Sequence, residues 1–514
     1  MPKGSANFQN YNSDLKKNRG YRLTYFFCEY LVKIQHQLDL KVRLFVLITI
    51  VLTGFFFLSN KDKCHFKNEI KNRPNVVYIN VDDLGWKDLG IMDDSYFETP
   101  FIDQFSNQAM MFTNSYASAA NCAPSRACLM TGQYSPRHGV YTVSPSARGK
   151  SSTRKLIPIK NADSLYSEQL TLADMFKTAG YTTANFGKWN LGSDPLQQGF
   201  DVNVAGSLRG SPGKEGYFSP YNIKNIENGP NGEHLTDRLT AEAIQFLRKN
   251  HDNPFFLYLP FYSVHTPIIA KENLVKKFKS KTDNPLGINP TYAAMVETMD
   301  NNVGKLLNEL DDLGLSSNTI VVFTSDNGGI RSIAKQNPLR AGKGSYYDGG
   351  TRVPCIIRWP GIIEAGSISE EPIINIDFFP TFKEILDVDI KGKLLDGHSI
   401  LPVLLGNRLE PRPFFWHFPI YLQSYDKLND DGRDPLFRTR PGSTILFEGW
   451  KLHIYYEDQG VELYHLPSDP GEIDNVAEKE PIKVRELLEK LRTWQVKVNA
   501  PIPTELNPDY IPEK

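Results

Sequence analysis

The chain has 514 residues, 40% hydrophobic and 23% charged, with a formal net charge of -1 at neutral pH. That length is ample for a large buried core, and the near-zero charge excludes a general attraction to nucleic acid. Five cysteines are too few and too scattered for a disulfide framework.

Residues 1–43 read as a basic cytoplasmic tail, with Lys16, Lys17, Arg19, Arg22, Lys33, Lys41 and Arg43. Residues 44–59 follow as a signal anchor or signal peptide, because Leu44 to Leu58 is almost unbroken apolar sequence with a basic flank. The run is short against the ~20 residues of a full span, and no small-x-small cleavage site follows it. Either reading makes the membrane a partner and places the body outside the cytoplasm, anchored or secreted, and in the periplasm or at the cell surface if the cell is bacterial. The absence of any Asn-x-Ser/Thr sequon with x other than proline fits a bacterial setting. Residues 60–73 are polar and basic, a linker.

Val76 to Val81 is a short apolar run, as expected of a parallel strand buried on both faces. It ends in Asp82-Asp83, at the carboxyl end of a strand, where open α/β sheets place their ligands. A carboxylate pair there suits a hard cation, and equally a solvated turn. Asn121 to Gly132 follows, with Cys122 two residues before Pro124, so the thiol belongs at a helix N-terminus where unpaired N–H groups favour an anion. One turn on, Arg126 brings a permanent charge and a planar fork suited to an oxyanion.

Thr171 to Ala179 reads as a capped helix, and Tyr181 to Phe186 as the strand that delivers Gly187-Lys188-Trp189-Asn190-Leu191-Gly192. Gly206 to Asn231 is a long Gly/Ser/Pro/Asn loop whose Ser207 and Arg209 are candidate specificity residues. A helix over Thr236 to Lys249 leads to the strand Phe255 to Leu259 and to His265, followed at Pro267 by proline. A continuous apolar face predicts a helix from Tyr292 to Leu313. The next strand, Thr319 to Thr324, ends in Ser325-Asp326-Asn327-Gly328-Gly329, again oxygen donors at a strand end. Lys343 stands among glycines ahead of the strand Cys355 to Arg358, with Asp348 between them. From about Pro411 a hairpin around Glu448-Gly449-Trp450, a short strand at Leu463-Tyr464 and a helix opened by Pro481 predict a small antiparallel unit. The proline-rich tail from Asn499 reads as extended.

Cys122-Ala123-Pro124-Ser125-Arg126 with Leu129-Met130-Thr131-Gly132 resembles the signature of the type I sulfatases of the alkaline phosphatase superfamily. Over roughly residues 74–480 the other motifs agree with it. The resemblance implies an α/β fold: a large mixed, mostly parallel sheet flanked by helices, with a small C-terminal antiparallel sheet plus helix. It divides the chain into a catalytic domain at 74–410, a C-terminal subdomain at 411–498 and a tail at 499–514. It implies that Cys122 is oxidised to formylglycine (3-oxoalanine) by a maturation enzyme, the hydrated aldehyde supplying the nucleophile. Asp82, Asp83, Asp326 and Asn327, with the modified Cys122, match the family's metal ligands. Hard oxygen donors suit Ca²⁺ or Mg²⁺, and the resemblance implies one Ca²⁺, with Mg²⁺ second. Lys188, Lys343, His265 and Arg126 match its sulfate-binding and proton-transfer positions. The substrate class implied is a sulfate ester, with sulfated carbohydrate first.

Asn190 departs from the pattern, since the family's segment reads Gly-Lys-Trp-His-Leu-Gly. Asparagine can hydrogen-bond a substrate, but it cannot take the proton when sulfate is eliminated. Two other readings therefore stand beside sulfate ester hydrolysis: a phosphodiester or phosphonate hydrolase of the same superfamily, and a glycan-binding relative without turnover.

Overall fold

The computed structural model describes residues 73–512 apart from 93–95, 144, 214–215 and 285. The basic tail, the apolar run Leu44 to Leu58 and the linker to residue 72 lie outside the described residues. Among the described residues no helix is long and apolar enough to cross a membrane. Cys122, Cys128 and Cys355 are free, buried thiols.

In chain order the strands are β1 (Asn75–Val81), β2 (Met110–Phe112), β3 (Ser115–Tyr116), β4 (Thr182–Phe186), β5 (Val202–Val204), β6 (Phe255–Pro260), β7 (Thr319–Ser325), β8 (Cys355–Arg358), β9 (Ser367–Ser369), β10 (Ile373–Ile374), β11 (Phe414–Phe418), β12 (Leu422–Gln423), β13 (Phe437–Thr439), β14 (Gly442–Phe447), β15 (Trp450–Tyr455) and β16 (Val461–His465). One eight-stranded sheet has the order β5-β4-β6-β1-β7-β8-β2-β9. β5, β4, β6, β1 and β7 run parallel, and β8 is antiparallel to both β7 and β2.

β1, β6 and β7 are buried along their whole length, which is why they read as continuous apolar runs rather than alternating ones. Val77, Ile79, Leu257 and Leu259 face a core closed by helices Leu235–Asn250 and Pro290–Asp312. Tyr78, Phe256 and Tyr258 face the other way. There Phe176 stacks on Phe256 at 4.2 Å between ring centroids, and Phe378 meets Tyr78 edge-on at 5.1 Å.

The antiparallel sheet has the order β11-β14-β15-β16, and helix Pro481–Lys497 packs on it through Leu487, Leu491 and Trp494. β11 was not among the expected strands, because Phe-Phe-Trp-His-Phe lacks the alternation of a half-exposed strand. All five of its residues are buried. This sheet shares a core with Tyr116, Ala120 and Cys128, and Trp416 donates its indole N–H to the Ala117 carbonyl at 2.8 Å. The tail crosses the surface, bridging Leu506 to Leu156 and hydrogen-bonding from Asn507 to the 151–155 loop.

Candidate active site

Four adjacent parallel strands point their carboxyl ends at one place. β1 delivers Asp82 and Asp83, β7 delivers Asp326 and Asn327, β4 delivers Lys188, and β6 leads through Phe261 to His265. The strand ladder continues into the site, with Asp326 N–H on the Val81 carbonyl at 3.1 Å and Val264 N–H on the Asp82 carbonyl at 2.7 Å. The side chains thus hang from rigid backbone. Asp83 sits in the left-handed region at φ 62°, which turns its carboxylate away from the path of a continuing strand.

Cys122 is the first residue of helix Cys122–Thr131, which Asn121 precedes in extended conformation and Gly132 ends at φ 65°. Its thiol is buried and points at Asp82 Oδ1, 3.3 Å away, and Asp83 Oδ1, 3.8 Å away. Burial, and then the Asp82 charge, push the thiol up to about 12. A cysteine so placed is neutral, so the position suits a group other than a thiolate as nucleophile.

Three cations answer three carboxylates. Lys188 Nζ lies 2.5 Å from Asp82, Lys343 Nζ lies 2.7 Å from Asp83, and Arg126 Nη2 lies 2.8 Å from Asp326. Against burial, which alone raises it, Lys188 and the cations around it hold the Asp82 carboxyl well below the usual range. Arg126 is turned beneath the site: its other donors reach Asp326 through Nε and the Lys188 carbonyl through Nη1, at 2.9 and 3.1 Å. The fork expected for an oxyanion is thus spent on fixing a carboxylate and the lysine-bearing turn.

The donor set fits a hard cation. Asn327 Oδ1 is buried without a hydrogen-bond partner, while its amide donates to Asp83 at 2.8 Å. An unpaired oxygen beside three carboxylates is the environment a divalent ion satisfies. Ligand atoms of Asp82, Asp83, Cys122 and His265 lie within 4.8 Å of one another. His265 places Nδ1 2.6 Å from the Thr266 carbonyl, which requires the proton on Nδ1 and leaves the Nε2 lone pair free to accept.

Above Cys122 opens a cavity of about 320 Å³ lined by Cys122, Lys188, His265 and Lys343 on its floor. Asn190 does not line it. It sits at φ 62° with its N–H on the Ser207 carbonyl at 2.8 Å and its amide on the Leu208 carbonyl at 2.9 Å. Asparagine tolerates that backbone and bonds locally, so here it anchors the 207–211 loop. Ser207 and Arg209 also lie off the cavity, Arg209 donating to the Asn222 carbonyl, and their neighbours Gly210 and Ser211 reach the rim instead. The walls add Val143, Arg148, Leu422, Tyr425 and Arg438, which the sequence reading did not single out. They come from loops and from the antiparallel unit, where no periodicity marks them.

A family model described as sulfatase matches residues 74–388, and one described as N-sulphoglucosamine sulphohydrolase, C-terminal, matches residues 342–497. A protein named sulfatase from Formosa agariphila is 33% identical over 88% of this chain and 94% of its own length. The N-acetylgalactosamine-6-sulfatase of Mus musculus is 32% identical over 78% of this chain and 81% of its own. Among solved structures, Ps i-CgsB in complex with k-i-k-neocarrahexaose superposes with a TM-score of 0.67 at 27% identity, covering 82% of this chain and 92% of that one.

Proposed function

The chain belongs to the sulfatase family, enzymes that hydrolyse sulfate esters, and from that premise we propose that it uses a formylglycine made from Cys122 to release sulfate from a sulfated carbohydrate. The observation that carries this reading is the convergence of Cys122, Lys188, His265 and Lys343 on the floor of one cavity. The hydrated aldehyde supplies one hydroxyl to attack sulfur and a second whose collapse releases sulfate. Asp82, Asp83, Asp326 and Asn327 would hold Ca²⁺, or failing that Mg²⁺, whose charge polarises a sulfate oxygen.

The chain's own groups do the rest. Lys188 and Lys343, now on Asp82 and Asp83, present ammonium donors to the sulfate oxygens. Lys343 Nζ gives a proton to the departing sugar oxygen. His265 Nε2 takes a proton at residue 122 as sulfate leaves, the role that Asn190 cannot fill. Arg126 positions Asp326 and the Lys188 backbone without touching substrate. The carbohydrate assignment draws on the sugar named with the Ps i-CgsB structure and on the N-acetylgalactosamine-6-sulfatase likeness. The apolar run Leu44 to Leu58 supports an extracytoplasmic site of action.

The test is peptide mass spectrometry across Cys122 on protein co-produced with a formylglycine-generating enzyme, followed by sulfate release from sulfated saccharides. Conversion with release is the expected result. Conversion without release from any sulfate ester, alongside release from a phosphonate or phosphodiester, would overturn the reaction assigned here.

A further inference from the structure

The floor of the cavity already holds cations enough for one sulfate, in Lys188 and Lys343. Its walls carry two more permanent charges, Arg148 and Arg438, and a single sulfate occupies only a small part of about 320 Å³. The sulfatase reading explains the floor and leaves the walls without a purpose.

Arg438 is brought in from β13 across the fold. It is 5% exposed, donates through Nε to the Gln423 carbonyl at 3.0 Å and through Nη1 to the Lys343 carbonyl at 2.9 Å, and lies 3.4 Å over the ring of Tyr425. These partners are neutral, and among the described residues no carboxylate pairs with it. The Lys343 loop is shaped to admit it: Gly344 stands at φ 86°, and a Cβ there would come within 2.6 Å of Arg438 Nη1.

Arg148 faces it from the other wall, held by the carbonyls of Val143 at 2.6 Å and Pro145 at 3.2 Å. Burial, and beyond it the Arg438 charge, hold Arg148 below the usual arginine range, with Tyr425 acting the opposite way. An anion between two guanidinium groups on opposite walls is held from both sides. Tyr425, 51% exposed at the mouth with one face on Arg438, offers the other to a sugar ring.

Resting on the sulfatase reading, we propose that Arg148 and Arg438 form a second anion subsite, with Tyr425 as its sugar platform. It takes a sulfate or carboxylate substituent on the saccharide that carries the scissile sulfate. The substrate class is then a polyanionic saccharide rather than a neutral one bearing a single sulfate. Planar forks on two sides suit either oxyanion, since both accept paired N–H donors.

The test measures binding by calorimetry with Ca²⁺ on the chain in its Cys122 form, which does not turn over. Three disaccharides are compared: one with a single sulfate, one with a second sulfate, and one with a single sulfate and a uronate carboxylate. The doubly anionic probes should bind about tenfold tighter or better, and the two arms tell sulfate from carboxylate. In Arg148→Gln, which leaves the Lys343 contact alone, the advantage should shrink to about twofold or less. Arg438→Lys should reduce it by removing the fork while keeping the charge.

Equal wild-type affinity for all three probes would overturn the subsite, as would an undiminished advantage in a folded Arg148→Gln. Should that variant unfold, the wild-type advantage must still fall as salt is raised, and a salt-independent one overturns the proposal as well. Matured enzyme that binds the doubly anionic probes tightly yet releases no sulfate would sink the catalytic assignment and leave the subsite standing.

Discussion

At the level of single residues, Asn190 sets the sharpest question, because the loop needs it and the chemistry does not. Histidine at φ 62° carries a strain of order 1 kcal/mol and gives up the bond to the Leu208 carbonyl. Freed from that bond, a histidine at 190 that turns toward the cavity is a second base, so if sulfate release limits turnover Asn190→His should raise kcat about tenfold, since a positioned base contributes 10²-fold or more. His265→Asn should lower kcat by about 10²-fold in the natural chain and by far less beside Asn190→His, because two bases for one proton are not additive. Single-turnover and steady-state sulfate release on the four proteins would check this. An unchanged kcat for His265→Asn would remove His265 from the role, whereas equal losses in both backgrounds would leave it the sole base.

The unpaired Asn327 Oδ1 makes a second prediction at the same scale, one independent of activity. Adding Ca²⁺ to chelated protein should stabilise it by about 2.7 kcal/mol at a hundredfold excess over the dissociation constant, read as a rise in Tm. Asn327→Ala should shrink the rise. A Tm indifferent to Ca²⁺ and Mg²⁺ alike would mean that the four donors are satisfied by the lysines alone.

Among the elements, the antiparallel sheet is fastened by a buried charge cluster. Lys451 on β15 is fully buried, 2.7 Å from Asp348 and 3.2 Å from Glu472, and Glu472 in turn accepts from the Asp348 N–H at 2.6 Å. That gives Asp348 a structural reason: it ties the segment after Lys343 to the sheet. Lys451→Met leaves Glu472 buried without its lysine and Asp348 with only Arg352, 3.7 Å away, and should cost about 3–5 kcal/mol in a urea titration. A loss under about 1 kcal/mol would show that the carboxylates simply take up protons.

The same scale shows what the sequence made legible. β1 and β7 were readable because strands buried on both faces are continuous apolar runs that stop at turn residues, and those turn residues are the oxygen donors. Helix Pro290–Asp312 was readable from its apolar period. β11 was not, since a buried run of aromatics has no period to distinguish strand from loop. The cavity walls were hidden for a different reason. Arg148 and Tyr425 lie on irregular segments and Arg438 on the three-residue β13, and they meet only through the packing of the antiparallel unit on the Cys122 helix, a tertiary fact with no local signature.

For the whole molecule, the consequence of deep burial is sensitivity to acid. His138, His417 and His453 are all buried. Burial pushes them down, to about 3 for His138, about 4 for His417 and about 3 for His453, the last helped by the Lys451 charge. Each is held neutral by specific partners, His417 between Ser443 Oγ at 2.7 Å and the Pro501 carbonyl at 2.9 Å, which ties the tail to the sheet. A base whose folded pKa is depressed contributes stability that is complete above its unfolded value near 6.5 and is lost as pH falls towards the folded value. Between those limits the unfolded chain binds more protons, so stability falls with pH. At pH 5.5 each of the three should have lost about 1.4 kcal/mol relative to pH 8, together about 4 kcal/mol. Compared with the natural chain, His417→Gln, which keeps a hydrogen-bonding side chain without a titrating group, should lose about 1.4 kcal/mol less stability between pH 8 and 5.5, a difference that calorimetry on the two proteins reads. An identical pH dependence in the two proteins would mean that the His417 ring protonates without unfolding the sheet, and that the tail yields first.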